Sequence, residues 1–264
     1  MTIATSRMTE QKVPLAGTEL FLLKGGTGAP LLFLHGEEGF EGELAVHGAL
    51  AEGATVYAPS HPGFGHTEAP EWVTQVPHHA VFYLWFLQQA GLGPVDVVGT
   101  GIGGWIAAEM ALMEPKALKH LLLVDAGGIK PKDSDIFDIF IVRWIEMLQR
   151  GFADHEQSAE YKRLYGEGIP EFGGTREAGR TMLLKMAFRP YMYDTALPGM
   201  LGRVTTPTLI VWGNQDRITP LECGRLYQQA IPNASLKVID NCGHFAHLER
   251  PDELAAIVQD FVSK

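Results

Sequence analysis

Two residues near the C-terminal end are set for acid–base chemistry: Asp216 in WGNQDRITP and His244 in DNCGHFAHLERP. Each stands in a loop just beyond an apolar, strand-like run, Thr208 to Trp212 and Ser235 to Ile239 respectively. A buried carboxylate beside an imidazole fixes its tautomer and orientation and stabilises it once protonated, so the two form the acid–base half of a Ser-His-Asp triad. The attacking half is missing. Val97 to Met110, VVGTGIGGWIAAEM, passes from strand through a Gly-rich turn into a helix, the setting of a nucleophile elbow G-x-S-x-G. Gly99 and Gly103 hold the glycine positions, and Gly101 stands where the nucleophilic serine belongs. With no hydroxyl at 101, an acyl-enzyme cannot form there.

Nothing nearby in the sequence replaces it. Thr100 precedes the nucleophile position and points away from such a site, and nothing places the Cys242 sulfur in the elbow. The scaffold of the elbow is nonetheless intact, so Gly101→Ser is expected to create esterase activity, with water otherwise lodged above Gly101. The loop His35-Gly36-Glu37-Glu38-Gly39 follows the strand-like PLLFL. It is where a backbone N–H for an oxyanion hole would come from, here that of Glu37, with Ile102 after the nucleophile position supplying the second. The Glu37 and Glu38 side chains would oppose negative charge developing there, and both are expected to face solvent. Gly36 is a substrate-binding candidate. Asp125, in LLLVDAGG, is a fallback acid read as structural.

Gly99, Gly101 and Gly104 also satisfy G-x-G-x-x-G, but that fingerprint belongs after a first strand, and this one follows the fourth or fifth. His78-His79 are adjacent and diverge on a helix, so they do not make a metal site. No metal and no other cofactor is expected.

The elements that must position these residues follow an alternating pattern. Strand-like runs at Glu19 to Lys24, Pro30 to Leu34, Thr55 to Ala58, Val95 to Val98, Leu121 to Val124, Thr208 to Trp212 and Ser235 to Ile239 are continuous and apolar, as a buried parallel sheet requires. Helical patterns at 42–51, 77–90, 103–113, 220–230 and 251–262 lie between or after them, which predicts an α/β fold with right-handed crossovers and chemistry at the C-terminal strand ends. The rhythm breaks between about 128 and 204. That stretch has helical patterns at Ile136 to Gln149 and Thr181 to Ala187, many aromatic and Met residues, and no strand. It reads as a helical cap, residues 129–203, inserted into a core of 1–128 and 204–264, with Trp144 and Met147 lining an apolar substrate pocket. Met1 to Lys12 reads as a frayed lead-in.

With 264 residues, 46% hydrophobic and 20% charged, the chain is a folded domain rather than a disordered one. A formal charge of −10 and the lack of a Lys/Arg stripe argue against nucleic acid and anionic membranes as partners. Two cysteines make no disulfide framework, and no apolar run has the length of a signal peptide core or a spanning helix; the expected location is cytoplasmic. The expected partner is a small-molecule substrate, with self-association left open.

Taken in order, the HG loop, the APSHPGFGHTEAP loop, the Gly-rich elbow, GNQDRITP and CGHFAHLERPDEL resemble the α/β-hydrolase superfamily across essentially the whole chain. The last two are most similar to C–C bond hydrolases of dienoate ring-cleavage products, small esterases and lactonases. The resemblance implies the α/β-hydrolase fold, a mostly parallel central sheet flanked by helices with the cap before the last two strands. It also implies chemistry on a small carbonyl compound: hydrolysis of an ester, a lactone or a C–C bond. The absent serine leaves three expectations open: hydrolysis by the Asp216–His244 pair without a covalent intermediate or in an inactivated variant, non-hydrolytic base catalysis such as a lyase or decarboxylase, or a silent ligand-binding protein.

Overall fold

The apolar runs assemble into one eight-stranded sheet in a computed structural model that describes residues 8–168 and 175–264. In chain order the elements are β1 (Met8–Leu15), β2 (Thr18–Gly25), β3 (Ala29–Leu34), α1 (Ala45–Leu50), β4 (Ala54–Pro59), α2 (Val76–Gln89), β5 (Val95–Thr100), α3 (Gly101–Met113) and β6 (Leu118–Val124). There follow α4 (Trp144–Gly151), α5 (Ala159–Tyr165), α6 (Thr175–Ala187), α7 (Leu197–Met200), β7 (Thr208–Gly213), α8 (Leu221–Ala230), β8 (Ala234–Ile239), α9 (Ala246–Glu249) and α10 (Pro251–Val262). The strands lie in the order β1-β2-β4-β3-β5-β6-β7-β8. β2 runs antiparallel to β1 and β4, and every pairing from β4 to β8 is parallel. This is the α/β-hydrolase fold that the motif order implied.

The central strands explain the continuous apolar runs. Leu31, Leu32, Phe33 and Leu34 of β3 and Leu121 to Val124 of β6 are essentially inaccessible, because helices cover both faces of a parallel sheet. Each such side chain contributes roughly 1.5–3 kcal/mol relative to exposure. The sheet is thereby fixed in register, and the C-terminal ends of β3, β5, β6, β7 and β8 fall side by side. The segments that directly follow those five ends carry Glu37, Gly101, Asp125, Asp216 and His244.

Three expectations are corrected. Met8 to Lys12 is no frayed lead-in: it belongs to β1, which pairs along its whole length with β2 through Met8↔Gly25 to Leu15↔Thr18. Residues 1–7 of the lead-in lie outside the described residues. The helix predicted over Ile136 to Gln149 begins only at Trp144. Upstream, the Phe137 N–H donates to the Ile218 carbonyl and the Ile139 N–H to the Tyr191 hydroxyl, so tertiary partners take the amides that a helix would use. The second insertion helix starts earlier than its pattern, at Thr175. Between β6 and β7 the described chain holds α4, α5, α6 and α7 and no strand.

Candidate active site

The elbow forms as its glycines demand. Gly101 has φ +48°, in the left-handed region, at the junction of β5 and α3. Gly103 packs so tightly under the loop after β3 that a Cβ would lie 2.7 Å from the Leu34 carbonyl carbon. Thr100, the residue before Gly101, makes no side-chain cap on α3, and its hydroxyl instead donates to the Leu34 carbonyl.

Asp216 and His244 meet across the ends of β7 and β8. One Asp216 oxygen accepts the backbone N–H groups of Ile218 and Thr219 at 2.8 and 2.9 Å; the other accepts the Nδ1–H of His244 at 2.8 Å. The His244 loop is pinned from both sides. The His244 N–H donates to the carbonyl of Gly151 at the end of α4, and the Gly243 N–H donates to Glu249. Asp125 is wholly buried beside the pair, with one oxygen accepting the Gly213 N–H at 2.8 Å. Burial and the neighbouring Asp216 charge push its carboxyl well above the usual carboxylate range.

The space above Gly101 is filled by Glu37. A Cβ on Gly101 would lie 2.7 Å from the Glu37 carboxyl carbon and 2.9 Å from Oε1, and closer still to Oε2. The expectation of solvent-facing glutamates is therefore overturned, since Glu37 and Glu38 are 2% and 1% exposed. So is the expectation of a space for water directly above Gly101, where the Glu37 carboxylate stands instead. Glu37 Oε2 accepts from His244 Nε2 at 3.2 Å. Both ring nitrogens of His244 thus face carboxylate oxygens, and an imidazolium with a proton on each nitrogen is the form that complements ionised carboxylates on both sides. Burial opposes the charged ring, but Asp216 and Glu37 outweigh it and hold the imidazole well above its usual range. The Glu37 carboxylate also lies against the first turn of α3, the positive end of the helix dipole.

A second acid–histidine pair lies alongside. Glu38 Oε1 accepts from His247 Nε2 and from the Gly36 N–H, both at 3.0 Å. Burial would raise the Glu38 pKa, yet His247 outweighs it and the carboxyl is lowered overall. Gly36, read as a substrate contact, is engaged by Glu38 instead, and a Cβ there would lie 3.3 Å from Thr100 Oγ.

Of the two predicted pocket residues, Trp144 lines a small cavity of about 10 Å³ together with Glu37, Glu38, Phe40, Phe64 and Arg180. Met147 is buried in the core on the same helix and does not line that cavity. Ile102 is the second residue of α3, where backbone N–H groups have no intrahelical partner. Cys242 is buried, its thiol donates weakly to the Gly243 carbonyl at 3.6 Å, and burial pushes it far up, so it is no nucleophile.

A family model described as the alpha/beta hydrolase family matches residues 31–257. The chain belongs to that family. A 2-hydroxymuconate semialdehyde hydrolase of Pseudomonas sp. (strain CF600) is 24% identical over 96% of this chain and 94% of its own length. A 2-hydroxy-6-oxononadienedioate/2-hydroxy-6-oxononatrienedioate hydrolase of Dechloromonas aromatica is 27% identical over 67% of this chain, which spans 65% of that relative. Among solved structures, a 2-hydroxy-6-oxo-6-phenylhexa-2,4-dienoate hydrolase from Rhodococcus is similar with a TM-score of 0.80 and 22% identity, covering 98% of this chain and 100% of the other. That likeness supports the fold.

The Glu37 side chain is the group that sequence reasoning missed as a member of the site. Its signal was present in HGEEG, two consecutive acids where a loop meets an oxyanion hole.

Proposed function

We propose that this chain is a hydrolase acting on a small carbonyl-containing substrate, an ester, a lactone or a C–C bond beside a ketone, without a covalent intermediate on the elbow. The observation that carries this reading is the Asp216–His244 pair, at 2.8 Å, directed at an elbow that has no hydroxyl. The similar hydrolases of dienoate compounds supply the substrate class. The helices between β6 and β7 serve as the cap, with Trp144 turned to the substrate side, and the N–H groups of Glu37 and Ile102 stabilise the oxyanion. His244, oriented by Asp216, handles protons; as it rests doubly protonated, it donates one to the leaving group rather than acting first as the base.

A second reading is a non-hydrolytic acid–base catalyst such as a lyase or decarboxylase, favoured by the carboxylate standing where a nucleophile would. The test is turnover of p-nitrophenyl acetate, a small lactone and a 2-hydroxy-6-oxo dienoate by the wild type and by His244→Ala. The expected result is hydrolysis of at least one of them, reduced about 100- to 10,000-fold in His244→Ala. Equal turnover by the two proteins contradicts the role of His244, and cleavage without uptake of water favours the lyase. Binding without turnover contradicts an enzymatic function.

A further inference from the structure

We infer that Glu37 is the general base of this site: it takes the proton from the attacking water, while His244 supplies the proton to the leaving group. The inference rests on the hydrolytic reading above and assigns the part of the reaction that the elbow lacks.

Three observations carry it. The Glu37 carboxylate lies where the side chain of a nucleophile at 101 would stand, in contact with the position any substrate carbonyl on this elbow must approach. Its Oε2 is bound to His244 Nε2 at 3.2 Å, so the imidazole has no lone pair free to accept a proton from water, and the neighbouring carboxylate does. Finally, Oε1 of Glu37, Oε2 of Glu38 and Nε1 of Trp144 are buried without a protein partner, and all three residues line the 10 Å³ cavity. That volume suits one water, which needs two to four polar partners. An indole N–H donor and carboxylate acceptors are the complementary set: the water accepts from Trp144 and donates to Glu37.

The proton circuit closes without any other reactant. As the water oxygen bonds to the substrate carbonyl carbon, its proton passes to Glu37 and the C=O π pair moves onto oxygen, held by backbone N–H groups. Collapse of the tetrahedral intermediate restores the carbonyl and breaks the bond to the leaving group, which takes the proton from His244 Nε2. The proton on Glu37 then crosses the hydrogen bond to His244 Nε2, restoring the carboxylate and the imidazolium. Glu37 thus does from the loop after β3 what the serine–histidine pair does from the elbow elsewhere, with no bond to the enzyme.

The test compares wild type, Glu37→Gln, Glu37→Asp and His244→Ala on whichever substrate the wild type hydrolyses, with the mass of enzyme quenched during turnover. Glu37→Gln keeps the shape but loses the base, and kcat is expected to fall about 100- to 10,000-fold, with the acidic limb of the pH–rate profile lost. Glu37→Asp keeps a base on a shorter stem and is expected to retain part of kcat with KM nearly unchanged. The quenched enzyme is expected to be unmodified. Glu37→Gln holding more than about a tenth of wild-type kcat overturns the inference, and so does an acyl group on the Glu37 peptide, which would make it a nucleophile. If Glu37→Gln does not fold, Glu37→Asp decides, and wild-type kcat in that variant overturns the proposal. A wild type that hydrolyses nothing fails the hydrolytic reading before any Glu37 variant is made, and the inference falls with it. A wild type that is active, lost in His244→Ala but intact in Glu37→Gln, fails the inference alone.

Discussion

Glu37–His244 and Glu38–His247 are built from the same residue types, neighbouring acids on the loop after β3 and histidines three residues apart beyond β8, and both are buried. In the first pair the imidazole has a carboxylate at each nitrogen, Asp216 at 2.8 Å and Glu37 at 3.2 Å. In the second, Nε2 of His247 meets Glu38, while Nδ1 has no protein partner and Glu38 Oε1 is also held by the Gly36 N–H. The first pair adjoins the elbow and is placed to pass protons; the second ties the loop after β3 to α9. On the proposed mechanism, one motif serves chemistry where it meets Asp216 and architecture where it meets a backbone amide.

Breaking the second pair separates these roles. Glu38→Ala leaves the His247 Nε2–H and the Gly36 N–H buried without partners, and removal of one member of a buried pair typically costs about 3–5 kcal/mol. Urea unfolding should show that loss, while kcat of the folded fraction falls by less than in Glu37→Gln, because on the proposed mechanism Glu38 offers the water an acceptor but does not take its proton. A loss of kcat as large as that of Glu37→Gln would erase the distinction between the pairs.

A smaller effect is expected at the elbow. Gly101→Ser alone should gain no esterase activity, because the Glu37 carboxylate occupies the place of its side chain. Removing the obstruction in Glu37→Ala/Gly101→Ser should give turnover of p-nitrophenyl acetate at least about 100-fold above the single variant, roughly 2.7 kcal/mol. A burst from Gly101→Ser alone would show that Glu37 yields its place readily.

Much of this was legible in the residues. Continuous apolar runs such as Leu121 to Val124 fixed the parallel strands, and chain order alone singled out Asp216 and His244. Their pairing needed no more than two loops leaving adjacent strands. The direction of Glu37 was not legible, because a loop has no periodicity to assign its side chains to faces, and two adjacent acids ordinarily face solvent. Nor was β1, since Thr9 to Lys12 is polar and pairs only along an edge. Met147 was misplaced for a related reason: one helical face holds both Trp144 at the cavity and Met147 in the core, and the sequence pattern does not separate them.

The account stands on the protonation of His244. Its raised pKa means that its contribution to stability is complete below the unfolded value near 6.5 and is lost only as pH rises through the folded value. The direct measurement is ¹⁵N NMR of histidine-labelled wild type and Glu37→Gln across neutral to alkaline pH. The account predicts a His244 ring with both nitrogens protonated in the wild type well above pH 6.5, and a titration moved downward in Glu37→Gln. A His244 that titrates near 6.5 in the wild type, or identically in both proteins, would contradict it.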